Sequence, residues 1–317
     1  MTYYSQDKDE AYRASDRTNN HCSESISRKP AHLKVRLSQG PNYRFVKQML
    51  RTLKLHTVCE EAACPNVYEC FEAKTATFLI LGDMCTRNCR FCLVDGGKPL
   101  PPDPNEPEHV AEAVKQLRLH YVVITSVTRD DLSGGGASIF ADTIRAIRKN
   151  NPGCGIEVLI PDFAGNWDAL ALVVDAQPDV LNHNIETVPR LYPAVRPAAH
   201  YKRSLTLLKQ AKKSGLQGHT KSGIIAGLGE TKEELLEVMA DLRHHNCDIV
   251  TIGQYLSPSK AHYPIARYYS PEEFCELEGL GNDMGFLHVE AAPLVRSSYH
   301  AKEQFKQGNP ASSSTGS

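Results

Sequence analysis

A chain of 317 residues, 41% hydrophobic and 23% charged, is long enough for one large or two ordinary domains and can bury a substantial core. Lys and Arg number 36 against 37 Asp and Glu, a net charge of −1 that argues against nucleic-acid binding as the main role. No run approaches the roughly 20 apolar residues that a bilayer span needs, so no membrane role is expected.

In chain order, the opening segment MTYYSQDKDEAYRASDRTNN is polar and carries both charge signs. It reads as a disordered tail over 1–27 and not as a secretory or organelle signal, which predicts a cytoplasmic protein. Residues 28–74 form an N-terminal extension. From 75 to 285 two periods alternate. β-rich runs stand at 76–81, 121–127, 155–160, 179–185, 219–226 and 248–255. Helical patterns fall near 108–118, 138–150, 166–175, 202–214, 231–246 and 271–284. Thr231 with Glu234, and Ser270 with Glu273 around Pro271, have the spacing of capping boxes at helix starts. Residues 286–317 form a C-terminal extension and tail.

Six strand–helix repeats predict an α/β fold with a parallel sheet and right-handed crossovers. Six are too few for a closed eight-stranded barrel. The expected architecture is a partial (β/α)6 barrel with N- and C-terminal extensions, its active site at the C-terminal strand ends. A Rossmann-type sheet is the alternative, but the first strand runs into GDMCTRNCRFC instead of a G-x-G-x-x-G turn.

Ten cysteines in a chain without an export signal point to metal or redox chemistry, since a reducing cytosol does not maintain a disulfide framework. Cys85, Cys89 and Cys92 form C-x3-C-x2-C directly after the first strand. Three thiolates on one loop can hold three irons of a [4Fe–4S] cube and leave the fourth open. A structural zinc site wants a fourth ligand that this loop lacks. Cys59, Cys64 and Cys70 form a second triplet, C-x4-C-x5-C, fifteen residues upstream. Its spacing admits zinc with a distant fourth ligand or a second cluster, and its place beside the first loop favours iron–sulfur.

The first loop, with Phe91 at its aromatic position, resembles that of the radical S-adenosylmethionine superfamily. The two triplets together resemble the lipoyl synthase family, and so do TATFLILGDMCTRNCRFC, YVVITSVTRDDL, NHNIETVPRLYPAVRP, TKSGIIAGLGET, TIGQYLSPS and PLVRSSYHA, in that order over about 30–303. Ala63 and Ala292 depart from that family's usual Arg and Gly, and neither is a proposed ligand.

The resemblance implies a sulfurtransferase that inserts two sulfur atoms at C6 and C8 of a protein-bound octanoyl-lysine. Those carbons carry no acidifying group, so acid–base chemistry cannot activate them, whereas a primary carbon radical can remove their hydrogens. The resemblance also implies two [4Fe–4S] clusters and S-adenosylmethionine. Cys85, Cys89 and Cys92 would hold the radical-initiating cluster. Cys59, Cys64 and Cys70 would hold an auxiliary cluster that supplies the sulfur, with Ser297 as its fourth ligand and Ser298 as the neighbouring alternative. Implied partners are octanoylated lipoyl carrier domains (dehydrogenase-complex E2 subunits, glycine cleavage H protein), an electron donor such as ferredoxin or flavodoxin, and an iron–sulfur carrier for cluster repair.

Further candidates contact the cofactor. Gly134 and Gly135, after the second strand, would allow close backbone approach to the amino-acid end of S-adenosylmethionine. Asn184 and Glu186 would bond its ribose or amino group, although Glu186 could instead pair with Arg190 or Arg196. Cys22, Cys154, Cys247 and Cys275 read as bystanders. Two other readings compete: a biotin-synthase-type enzyme, which the upstream triplet opposes, and a zinc-binding structural protein.

Overall fold

The computed structural model describes residues 29–35 and 39–308. The tail expected over 1–27, Cys22 and the residues from 309 onward lie outside them. The chain enters with α1 (Pro41–Thr52), β1 (His56–Thr57), α2 (Val58–Glu61) and α3 (Val67–Glu72). Then come β2 (Thr77–Ile80), α4 (Glu106–Leu117), β3 (Tyr121–Ser126), α5 (Ala137–Asn150), β4 (Gly155–Leu159), α6 (Trp167–Asp175) and β5 (Val180–Asn182). They are followed by α7 (Tyr192–Val195), α8 (Tyr201–Lys213), β6 (His219–Ala226), α9 (Lys232–His244), β7 (Ile249–Gln254), α10 (Pro271–Asp283), β8 (His288–Ala292) and α11 (Ala301–Gly308).

Among the described residues the strands make one sheet in sequential order, with β2 to β8 parallel and β1 antiparallel on β2. The expected alternation is therefore present, with one addition. β8 is a seventh parallel strand, inside the stretch 286–317 read above as an extension. Its five residues HVEAA hold a single β-branched side chain, a weak sequence signal. The N-terminal extension is stitched on by the pairing of His56 with Leu79 and Thr57 with Phe78.

The strands β2 (TFLI) and β3 (YVVITS) are largely apolar, as a sheet covered on both faces favours, whereas β6 (HTKSGIIA) buries polar residues as well. Val122 and Ile124 of β3 face the helix layer and join the main core with Val110, Val114, Phe140 and Ile144. Tyr121 and Val123, on the other face, pack against Ala301 at the start of α11. That same face holds a fully buried ion pair, Lys221 Nζ with Glu157 at 3.0 and 3.2 Å. Tyr121 Oη (3.0 Å) and Asn182 Nδ2 (3.1 Å) donate to the same carboxylate. Both expected capping boxes form, with Thr231 and Ser270 as N-caps of α9 and α10.

Candidate metal and radical site

At the C-terminal ends of the strands lies a cavity of about 580 Å³. Cys85, Cys89 and Cys92 line it, and so do Cys64, Phe91, Asn184, Glu186, Ser297 and Ser298. Residues more than 230 positions apart in sequence thus meet around one space.

The loop from Cys85 to Cys92 contains no helix or strand and is held from outside. At its root, Leu81 takes a left-handed conformation (φ 70°), a strained choice for a side chain with a Cβ. Both backbone groups of Leu81 are clamped: its N–H donates to Glu106 Oε2 at 2.8 Å, and its carbonyl accepts from Arg129 Nη1 at 3.1 Å. Further on, Thr86 N and Oγ1 donate to Thr128 O, at 3.0 and 2.9 Å. Arg90 N donates to Val195 O at 2.9 Å. Arg87 forks onto Asp130 at 2.7 and 2.8 Å and reaches Asp162 at 2.7 Å. Arg203 closes the chain of charges on Asp162, also at 2.7 Å. Burial alone would raise the Asp162 carboxyl, but the Arg87 hydrogen bond, with the charges of Arg87, His183 and Arg203, holds it well below the usual range. No sequence pattern announced this network, since its four members come from four separate βα loops and helices.

The second triplet sits between β1 and β2. Cys59 is buried in the core, and Cys64 N donates to Cys59 O at 3.1 Å. The C-terminal segment is pinned to it twice. Asn66 Nδ2 donates to Leu294 O at 2.8 Å, and Tyr299 Oη donates to Glu69 Oε1 at 3.0 Å. Ser297 and Ser298 lie between these pins. Arg296 also lines the cavity, and its charge acts on Cys64.

The donor set fits iron–sulfur groups. Burial and then the charges of Cys89 and Cys85 push the Cys92 thiol up to about 12, and burial with the charges of Cys64 and Glu69 does the same to Cys70. Clustered thiols that hinder one another's ionisation in a poorly solvated site are stabilised as thiolates by a shared cation. Among the described residues no three His, Cys, Asp or Glu side chains gather where one metal ion could sit.

Asn184 and Glu186 leave the end of β5, with Glu186 held at φ 66° by its N–H to Gly223 O (2.9 Å) and its carbonyl to Ile225 N (2.7 Å). Asn184 Nδ2 donates to Glu186 Oε1 at 3.1 Å, which leaves buried Asn184 Oδ1 without a partner. Such an orphan acceptor suits an N–H or O–H donor on a bound cofactor. Burial raises the Glu186 carboxyl, opposed by Arg196 and the Asn184 bond. Arg190 pairs instead with Glu234. Arg196 donates to the carbonyls of Asn184 and Ile185, at 3.0 and 3.1 Å.

Gly134 and Gly135 are not among the residues lining the cavity. Both have left-handed φ (72° and 60°), and a Cβ on them would meet Ala169 at 3.9 Å and Phe163 at 3.0 Å respectively. Their freedom serves the turn into α5 and the packing of Phe163.

Residues 79–242 match the family model "Radical SAM superfamily", and residues 3–64 match that of the N-terminal domain of lipoyl synthase of the Radical SAM family. The chain is 59% identical to the lipoyl synthase of Rubrobacter xylanophilus over 276 residues, covering 87% of this chain and 86% of that one. It is 58% identical to those of Symbiobacterium thermophilum (89% and 88% covered) and Caldicellulosiruptor saccharolyticus (88% and 98%). Among solved structures, methylornithine synthase superposes with a TM-score of 0.51 at 14% identity, covering 78% of this chain and 70% of that one. HydG, a maturase of the [FeFe]-hydrogenase, gives 0.53 at 15%, covering 80% and 56%; at these identities the likeness is one of fold. The chain belongs to the lipoyl synthase family of the radical SAM superfamily.

Proposed function

We propose that the chain inserts two sulfur atoms at C6 and C8 of a protein-bound octanoyl-lysine. Cys85, Cys89 and Cys92 would hold a [4Fe–4S] cluster whose open iron takes S-adenosylmethionine. Cys59, Cys64, Cys70 and Ser297 would hold the auxiliary [4Fe–4S] cluster, with Ser298 the alternative to Ser297. When bound, these groups supply a carbon radical from S-adenosylmethionine and the sulfur atoms.

One observation carries the reading: Cys64 and Ser297 open onto the same cavity as Cys85, Cys89 and Cys92. An acyl chain entering there would reach the first triplet and, of the second, Cys64, while Cys59 and Cys70 lie behind the wall. The cavity wall is apolar where the chain would lie, through Val127, Leu159, Ile160, Ile224 and Leu256, which excludes water from a reactive carbon centre. Asn184 Oδ1 and Glu186 would accept hydrogen bonds from the amine or hydroxyls of S-adenosylmethionine, and Phe91 would pack at the loop's aromatic position. The Arg87–Asp162–Arg203 chain would hold the loop so that iron displaces the protons of its thiols, which leave to solvent, in one arrangement.

Octanoylated lipoyl carrier domains are the substrate class, with dehydrogenase-complex E2 subunits and the glycine cleavage H protein as the forms proposed. Ferredoxin or flavodoxin as electron donor, an iron–sulfur carrier for cluster repair, and a cytoplasmic location complete the proposal. Among the described residues no helix is long and apolar enough to cross a membrane.

The test is an anaerobic reaction with an octanoyl-lysine peptide, S-adenosylmethionine and a reductant, read by mass spectrometry. Two added sulfurs and two 5′-deoxyadenosines per product are expected. Deoxyadenosine without sulfur addition would sink the sulfur-inserting assignment. Metal analysis of the loaded protein should give about eight irons and eight sulfides per chain, the content of two cubes.

A further inference from the structure

The segment between β7 and α10, residues 255–269, contains no helix or strand, yet it is tied down at both ends and in its middle. Buried Gln254 closes its base. Gln254 Nε2 donates to the carbonyls of Tyr255 and Arg267, both at 3.1 Å, and its Oε1 accepts from Tyr269 N at 2.9 Å. Tyr269 Oη then donates to Glu230 Oε1 at 2.9 Å, and Ala266 N donates to Gly227 O at 2.8 Å. This is a compact loop with joined ends, a form that in surface loops often serves function.

Its middle reaches the cysteine loop. Tyr263 N donates to Arg90 O at 2.7 Å, and the Arg90 guanidinium lies 6.0 Å from the Tyr263 ring centre. His262 Nε2 contacts the carbonyl of Cys92 at 3.2 Å, while its Nδ1 lies 2.8 Å from Ser259 Oγ. A carbonyl can only accept, so Nε2 carries the hydrogen, and Nδ1 of the neutral ring accepts from the serine hydroxyl. Ser259 is itself fixed by Ala261 N at 3.2 Å, and Tyr255 Oη donates to Tyr263 O at 2.8 Å. Every polar contact made by the imidazole thus orients it toward one backbone atom of a proposed cluster ligand. The near end of the same loop, Tyr255 to Pro258, forms cavity wall.

We propose that residues 255–269 are a brace for the radical-cluster loop, with His262 as the positioning residue that fixes the Cys92 arm. The loop is otherwise fastened from the β3, β4 and α7 sides, through Thr128, Asp130, Asp162 and Val195, and the brace adds a hold from the β7 side. His262 touches no reacting atom. Its effect is on how firmly the third thiolate keeps its place when the open iron exchanges its ligand. This rests on the assignment of Cys85, Cys89 and Cys92 to a cluster.

The test uses the full chain with Cys59→Ala, Cys64→Ala and Cys70→Ala, reconstituted so that only the radical cluster is present. Iron release to a ferrous chelator is followed, and the EPR spectrum of the reduced cluster is recorded with and without S-adenosylmethionine. Adding His262→Ala should speed iron release about tenfold, the scale of losing a partner just outside a metal's ligands, and should broaden the EPR signal. His262→Gln, whose amide can still donate to the Cys92 carbonyl, should restore most of both. Unchanged release and spectra in His262→Ala would overturn the brace. A parent triple variant that takes up no iron would instead overturn the cluster assignment, and the brace with it. Should His262→Ala fail to fold, Ser259→Ala, which frees the imidazole without removing it, is read by the same criteria.

Discussion

Asn66 donates its side-chain amide to the backbone carbonyl of Leu294 at 2.8 Å, joining two points 228 residues apart. The bond places the segment carrying Ser297 against the segment carrying Cys64 by protein contacts alone. Asn66→Ala leaves the Leu294 carbonyl without this donor and should cost about 1–3 kcal/mol. The proposed auxiliary cluster should suffer first. Iron and sulfide content should fall toward half, while S-adenosylmethionine cleavage by the remaining cluster persists. Metal analysis beside a deoxyadenosine assay checks this, and equal loss of both functions would contradict it.

The two triplets should separate under mutation. Cys89→Ala should abolish both deoxyadenosine formation and sulfur insertion. Cys70→Ala should abolish sulfur insertion and leave deoxyadenosine formation measurable. Product analysis by mass spectrometry distinguishes the two patterns, and identical profiles would argue against unequal roles.

Buried Lys221 and Glu157 give a stability test remote from the thiols. Lys221→Met strands a buried carboxylate and should cost roughly 3–5 kcal/mol in denaturant unfolding. Adding Glu157→Leu should recover much of that loss, because paired removal leaves no uncompensated charge.

His183 predicts a pH effect of known sign. Its Nδ1–H donates to Ile160 O at 2.8 Å and its Nε2 lies 3.0 Å from Ser204 Oγ, the pattern of a neutral ring. Burial, then the charge of Arg196, lowers it from 6.5 to about 4, with Arg87 acting in the same direction and Asp162 opposing. A folded value below the unfolded one means that the unfolded chain binds the proton more readily between those limits. Stability should therefore fall as pH drops from 6.5 toward 4, by roughly 3 kcal/mol from this group. Urea titrations at several pH values should show a shallower slope for His183→Gln; parallel slopes would refute the assignment.

Thr231→Ala is the control. It removes the α9 cap far from the cavity and should cost about 1 kcal/mol, with sulfur insertion unchanged. Thermal melting together with the product assay reads both.

What the sequence made legible followed local rules. The six strand–helix repeats are read by periodicity, and Thr231 and Ser270 as caps because the chemistry sits within four residues. The cysteine triplets are visible because each keeps its three cysteines within about a dozen residues, the spacing expected of ligands to one cluster. What stayed hidden is non-local. Arg87 looks like any loop arginine until Asp130, Asp162 and Arg203 converge on it. Asn66 carries no sign that its partner lies at Leu294. Gly134 and Gly135 show another side of this: their position after a strand suggests a cofactor contact, while the φ values and the ring of Phe163 that also call for glycine there are visible only in the fold. β8 escaped because five residues with only Val289 β-branched carry little strand signal until β7 offers them an edge.

The packing of Ala301 against Tyr121 and Val123, just after the segment that bears Ser297, sets an order of events during synthesis. Both cysteine triplets leave the ribosome early, while the strand that pairs with β7 and the serine between the two pins emerge almost 200 residues later. Until then β7 has no partner on its outer edge, and Ser297, the proposed oxygen ligand, is absent. The polypeptide is therefore nearly complete before the site can receive inorganic cargo in its final geometry. On the proposed assignment, the auxiliary site is complete only in the finished chain.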